Sequence, residues 1–311
     1  MDIESASVTY GDAELEEPIR AEGLWFEDCG LIIRAENTLF RISRDFLAVQ
    51  SPVFKDMLSL PPPKPTEMID GCPFVVLPDR AEAVTVFLKA LIYYDFFLPH
   101  PGYATLPTVA SVLKMSDKYQ VDALRKRALV HLSSAFPTTL PHYEALISKR
   151  PSVSDVQLVL SLARDLSIDW ILPVALYWRC EDLSMNRNEL EESLSISEQS
   201  QLLAATCTLT SSIASAILAF LLPSALEEGH AQCLASTIRR RRNAETWRAE
   251  FMPFEIWDGD DWYQLNVCAE CKSSMQREER LARQAVWDNL PEVFGLPPWT
   301  ELEKMKTEAF E

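Results

Sequence analysis

The apolar Leu31, Ile32 and Ile33, a polar turn over Arg34 to Asn37, and the alternating Phe40 and Ile42 predict a β-hairpin near the start of the chain. The period then lengthens. Ser43 is placed to cap a helix carrying Phe46, Leu47 and Val49. Ser51 sets a second capping hydroxyl directly before Pro52, and proline is best tolerated at a first helical position. Phe54, Met57 and Leu58 supply the buried face of that helix. After a proline-rich connection, Phe74 to Leu77 form a continuous apolar run between Pro73 and Pro78, which predicts a strand covered on both faces. Asp79 and Glu82 have the spacing of a capping box. The helix they would open carries Val84, Phe87, Leu88 and Leu91 as one stripe. Two further helices follow, with stripes of Val109, Val112, Leu113 and Ser116, then Val121, Leu124, Ala128 and Leu132.

Beyond the prolines at 137, 141 and 151, helical signals dominate. Val156, Val159, Leu160, Ala163 and Leu166 form one stripe, Trp170 to Cys180 is densely apolar and aromatic, and Ser195 with Glu198 offers another capping box. An all-helical second domain is expected. The stretch from Leu202 to Pro223 carries no charge and is long enough to span a bilayer, yet Thr206, Thr208, Thr210, Ser211, Ser212 and Ser215 dilute it. It reads as a helix or helix pair buried in a bundle.

Length then bounds the organisation: 311 residues suit two domains, each able to bury a core. Eight glycines against twenty prolines argue against glycine-rich nucleotide loops. A formal net charge of −17 disfavours direct contact with nucleic acid or an anionic membrane, which requires phosphate-neutralising Lys and Arg. Seven acids against one base in residues 1–22 predict a disordered acidic tail. No signal peptide stands at the start, and seven scattered cysteines suit a reducing compartment, cytoplasm or nucleus.

The hairpin and helix pair, Ala90 to Asp95, and above all Met115 to Leu124 resemble the BTB/POZ family. Asp117, Lys118, Tyr119, Val121 and Leu124 closely match that family's Ala-Asp-Lys-Tyr-x-Val-x-x-Leu signature. Ser43 departs from a usual His and Ala128 from a frequent Cys, and the stretch Trp287 to Trp299 is similar to the expanded fungal sets of the family. The resemblance implies an α+β chain: a BTB/POZ domain over 23–138, a small sheet flanked by short helices, followed by a mostly α-helical C-terminal domain over 139–311. It implies a protein-interaction adaptor and no enzyme, acting as a homodimer or BTB heteromer. A cullin ubiquitin-ligase scaffold is one partner it suggests, and a transcription-associated scaffold is the alternative. Asp28 and Arg44 fall where the family carries a charged pair near its dimer-facing pocket; an ordinary surface acid and base is the other reading. The turn from Phe96 to Tyr103 lies where cullin contacts are made, but departs from the family's short polar turn.

Two features of the second half carry candidate chemistry. His230 and Cys233 are spaced H-x-x-C, and Cys268 and Cys271 are spaced C-x-x-C; two chelating pairs of soft donors suit tetrahedral zinc. Cys207 is an alternative fourth cysteine, and buried apolar cysteines are the plain alternative to any metal. A thioredoxin-like role has less support, because no strand precedes the C-x-x-C. The run Arg239 to Arg242 near Arg248 reads as a solvated helix face, or else as a nuclear-localisation or nucleic-acid patch.

Overall fold

A computed structural model describes residues 18–60, 68–185, 196–210, 221, 230–237, 253–254 and 259–311. These fall into two compact units, one reaching to Tyr103 and including Ser111–Arg125, the other comprising Ala104–Ala110 and everything from Lys126 onward. Among the described residues the first unit is mixed sheet and helix and the second is helical.

In the first unit, strands β1 (Ile19–Trp25), β2 (Leu31–Ala35), β3 (Thr38–Ile42), β4 (Met68–Ile69) and β5 (Cys72–Leu77) make one sheet in the order β1-β3-β2-β5-β4. The predicted hairpin is present: β2 and β3 pair antiparallel from Leu31 opposite Ile42 to Ala35 opposite Thr38. β2 pairs with β3 along one edge and, in parallel, with β5 along the other, and its side chains are buried on both faces. Ile32, Leu39 and Cys72 form a cluster on one face, with Trp25, Ile69 and Phe74 packed against it.

Three expectations for this unit need correction. Composition predicts an acidic disordered tail through residue 22, but Ile19 to Glu22 are strand, paired in parallel with β3. Backbone pairing, with Ala21 and Leu24 turned inward, outweighs local composition there. The strand at 74–77 exists, but Val76 is 62% exposed. Phe74 and Val75 are only partly buried, so the strand lacks full cover on both faces. Asp79 does not cap the following helix. Helix α3 (Ala81–Ile92), which comes after α1 (Arg44–Gln50) and α2 (Pro52–Ser59), begins behind Arg80 with no side-chain cap from that residue. Its first amide, on Ala81, instead donates to the Glu36 carboxylate from the hairpin turn at 2.9 Å.

Asp79 is occupied elsewhere. One oxygen pairs with Lys118 Nζ and the other accepts from the Tyr119 hydroxyl, each at 2.6 Å. Lys118 ends helix α4 (Leu106–Lys118), and Gln120 in left-handed conformation (φ 53°) turns the chain into α5 (Asp122–Ala135). Val121 N then donates to the Ser116 carbonyl across that turn, satisfying a helix-end carbonyl. The Tyr119 ring stacks on Phe54 of α2 at 4.6 Å and on Phe87 of α3 at 5.7 Å. Burial and the Asp79 carboxylate push its phenol well above the usual range.

The predicted caps of α1 and α2 hold: Ser43 Oγ accepts from Phe46 N, and Ser51 Oγ accepts from Phe54 N. Ser51, fully buried, also donates to the Tyr119 carbonyl at 2.5 Å.

The second unit contains α6 (Leu140–Leu146), α7 (Val153–Leu166), α8 (Leu172–Met185), α9 (Ile196–Thr208), a helical stretch at 231–237, α10 (Gly259–Gln264), α11 (Ala269–Asp288), α12 (Leu290–Val293) and α13 (Trp299–Phe310). The predicted stripe of α7 is buried at Val156, Val159, Leu160 and Ala163. In α8, Val174, Ala175, Tyr177, Trp178, Arg179 and Cys180 are all buried, as expected of a helix enclosed on every side. Around it lies an aromatic core. Tyr143 sits 5.4 Å from Trp287 and 5.5 Å from Phe254, and Trp287 stacks on Trp299 at 5.3 Å and 8°. Among the described residues no helix is long and apolar enough to cross a membrane. Of the uncharged stretch at 202–223, residues 202–208 belong to α9; 211–220, 222 and 223 lie outside the described residues, as does Ser195.

Ser51→Ala removes one hydroxyl that serves two buried backbone groups, the Phe54 amide and the Tyr119 carbonyl. It is expected to cost about 2–3 kcal/mol of unfolding free energy, read as a lower urea midpoint at unchanged slope.

Candidate metal centre

His230 stands at the head of the helical stretch 231–237, where its carbonyl accepts from Leu234 N at 3.0 Å. Cys233, three residues on, lies in the same first turn and is buried. Cys268 is the N-cap of the 20-residue α11, and Cys271 occupies that helix's first turn. Spacings of three at a helix start bring both donors of a pair to one side. Two helix starts therefore present four donors to a common point.

The donor atoms converge as the spacing predicts. One ligand atom from each of His230, Cys233, Cys268 and Cys271 can be chosen so that all four lie within 4.8 Å of one another. His230 Nδ1 is 3.3 Å from Cys268 Sγ and 3.2 Å from Cys271 Sγ. Around a tetrahedral zinc with bonds of about 2.0–2.3 Å, neighbouring donors stand about 3.5–3.8 Å apart, so these contacts need only open slightly to admit an ion. His230 would bind through Nδ1, leaving Nε2 to carry its proton.

Backbone amides already serve the sulfurs. Cys268 N donates to Cys233 Sγ at 3.4 Å, and Cys271 N donates to Cys268 Sγ at 3.5 Å. That second amide is the largest influence holding the exposed Cys268 thiol down to about 7, followed by the Cys271 side chain. Burial, then the neighbouring Cys268 and Cys233 sulfurs, push Cys271 up to about 12. The cluster thus sets one thiol held down, Cys268, beside one reluctant to ionise, Cys271. A bound cation reverses that reluctance, because a coordinated thiol loses its proton outright.

The remaining sequence candidates are placed differently. Cys207 is exposed in α9 and takes no part in the four-residue group. Residues 266–268 ahead of the C-x-x-C are not strand, as expected, although the motif does sit at a helix start. Arg239 to Arg242 and Arg248 lie outside the described residues. Asp28 is exposed in the turn after β1, and no ion pair among the described residues joins it to Arg44. The Arg44 guanidinium donates to the Leu58 carbonyl instead. The charged pair at this end of the sheet is Arg41 with Glu27, at 2.8 Å, with Arg41 also bonded to the Cys29 carbonyl. Sequence spacing gave no sign of that pair, because Glu27 and Arg41 meet only across the strand pairing.

This geometry allows a metal ion to be held by three cysteines and one histidine. No family model matches the chain, and no curated protein or solved structure is found to be similar to it.

Proposed function

We propose that this protein is an interaction adaptor whose front unit is a BTB/POZ-type module, working in the cytoplasm or nucleus by binding other proteins. The observation that carries this reading is the order of elements. Hairpin β2–β3, helix pair α1–α2, strand β5, helix α3, and then α4 and α5 joined at Tyr119 to Val121 follow the sequence that the resemblance implies. Further support comes from the turn after α3, where Tyr94 and Tyr103 are 85% and 86% exposed and Phe96 and Leu98 are partly so. Exposed aromatics of this kind anchor protein interfaces. In the resembled family this turn faces a cullin scaffold, which makes a cullin the partner to test first, beside a second copy of the chain or another BTB protein.

Light scattering on the full chain, alone and titrated with a purified cullin N-terminal domain, tests the reading. A two-chain mass or a saturable complex is expected. Tyr94→Ala with Tyr103→Ala should weaken a cullin complex about tenfold or more, roughly 1.4 kcal/mol, without lowering the melting temperature. A one-chain mass throughout, with no complex, would sink the adaptor.

A second reading is favoured by the convergence of His230, Cys233, Cys268 and Cys271. We infer that they hold zinc. Thiolate and imidazole donors in a four-fold set favour that ion, and four protein donors leave no open position for a substrate. Three thiolates around a divalent cation leave the complex with one negative charge. Two helix N-termini, each positive at its end, and the amides on sulfur face that charge. Elemental analysis should find one zinc per chain. Cys271→Ala should weaken retention by more than the 10–100-fold that losing an outer partner of a ligand costs. Equal zinc content in that variant and the parent would remove the reading.

A further inference from the structure

We propose that the metal is a local clasp: zinc fastens the N-terminal half of α11 to the helical stretch 231–237, and without it that half of the helix comes loose while its C-terminal end stays packed. The inference rests on the zinc reading and adds what the ion does for the fold.

It follows from the face that α11 buries. The buried residues are Cys271, Met275, Glu279, Arg283, Val286 and Trp287, a single stripe advancing mostly by four. An ordinary packed helix fills such a stripe with apolar side chains. Here its middle is ionic. Arg283 Nη1 lies 3.3 Å from Glu279 Oε1, and Arg283 Nη2 lies 2.7 Å from Glu144 Oε1 on α6. The second contact attracts by charge but lacks hydrogen-bond alignment, and the Arg283 Nε is buried without a partner. Burial also raises the Glu279 carboxyl above its usual range, against the pull of Arg283. Desolvation therefore cancels much of what these charges gain by pairing.

Firm attachment is left to the two ends. At the C-terminal end Trp287 is nearly fully buried among Tyr143, Phe254 and Trp299, and its indole N–H donates to the Thr138 carbonyl. At the N-terminal end only Met275 is a buried hydrocarbon-like anchor besides the cysteine cluster. The links from there to the stretch 231–237 are one amide–sulfur bond, Cys268 N to Cys233 Sγ at 3.4 Å, and the contacts of His230 Nδ1 with the Cys268 and Cys271 sulfurs. Zinc adds four coordinate bonds that tie residues 230 and 233 to 268 and 271, while the amides still donate to the sulfurs. Because such a site does not exist in an unfolded segment, its binding energy becomes folding energy for the segment it joins.

Hydrogen exchange followed by mass spectrometry, on the full chain with zinc and after removal of zinc by a chelator, decides the matter. Metal content is measured on the same samples. Peptides covering 231–237 and 269–279 should exchange at least tenfold faster once zinc is gone, and adding zinc chloride should restore protection. Peptides around Trp287, and the hairpin at 31–42 in the other unit, should not change. Bound zinc whose removal leaves 269–279 equally protected overturns the clasp and spares the zinc reading. A chain that holds no zinc as purified and takes up none overturns both.

Discussion

The first unit depends on one buried tyrosine whose every polar group is spoken for. Tyr119 presents its ring to Phe54 and Phe87, its hydroxyl to Asp79, and its carbonyl to Ser51. Through these contacts the end of α4 is fixed against the start of α2, the middle of α3 and the loop that precedes α3. The arrangement is economical in donors and acceptors, because Ser51 and Asp79 each serve two partners. A phenol can occupy this place only if its oxygen is satisfied, since an unpaired buried hydroxyl costs about 1–3 kcal/mol. Phenylalanine would fit the stack but leave the Asp79 carboxylate with Lys118 alone.

What could be read from the sequence was what is local. The caps at Ser43 and Ser51 follow from a hydroxyl placed three residues ahead of an amide, and both form. The hairpin and the helical stripes follow from periods of two and three to four, and they form as well, with Leu91 and Leu166 only partly buried at the ends of theirs. Asp79 misled because it has the spacing of a cap, while its partners lie 39 and 40 residues away. Charge composition misled at Ile19 to Glu22, where strand pairing decides the conformation. The metal ligands were legible as two pairs, but spacing left Cys207 open as a member. Only the meeting of two helix starts, with donors 38 and 41 residues apart in sequence, excludes it from the group.

The two units hold their interiors together by different means. The first relies on a sheet strand buried on both faces and on apolar helix stripes, where area removed from water supplies most of the stabilisation at about 25 cal/mol per Å². The second adds a dense aromatic cluster and several buried charges. Arg179 and Arg283 are both nearly inaccessible, and each keeps guanidinium nitrogens without hydrogen bonds. Burial lowers the Arg179 guanidinium and raises the Asp182 carboxyl that faces it, so the pair holds its charges at a cost. Such groups specify which elements meet more than they strengthen the meeting.

Glu36 shows how far such dependence can reach from a short turn. Its backbone is left-handed at φ 50°, a conformation that costs an ordinary residue about 1–2 kcal/mol and a glycine almost nothing. Its carboxylate, however, caps the start of a helix 45 positions further along, a service worth about 1 kcal/mol. The two quantities nearly cancel, so judged by stability alone a glycine would be an even exchange. What the glycine would lose is alignment: the bend of the hairpin and the first turn of α3 would become independently movable parts, where now one side chain makes them a single joint.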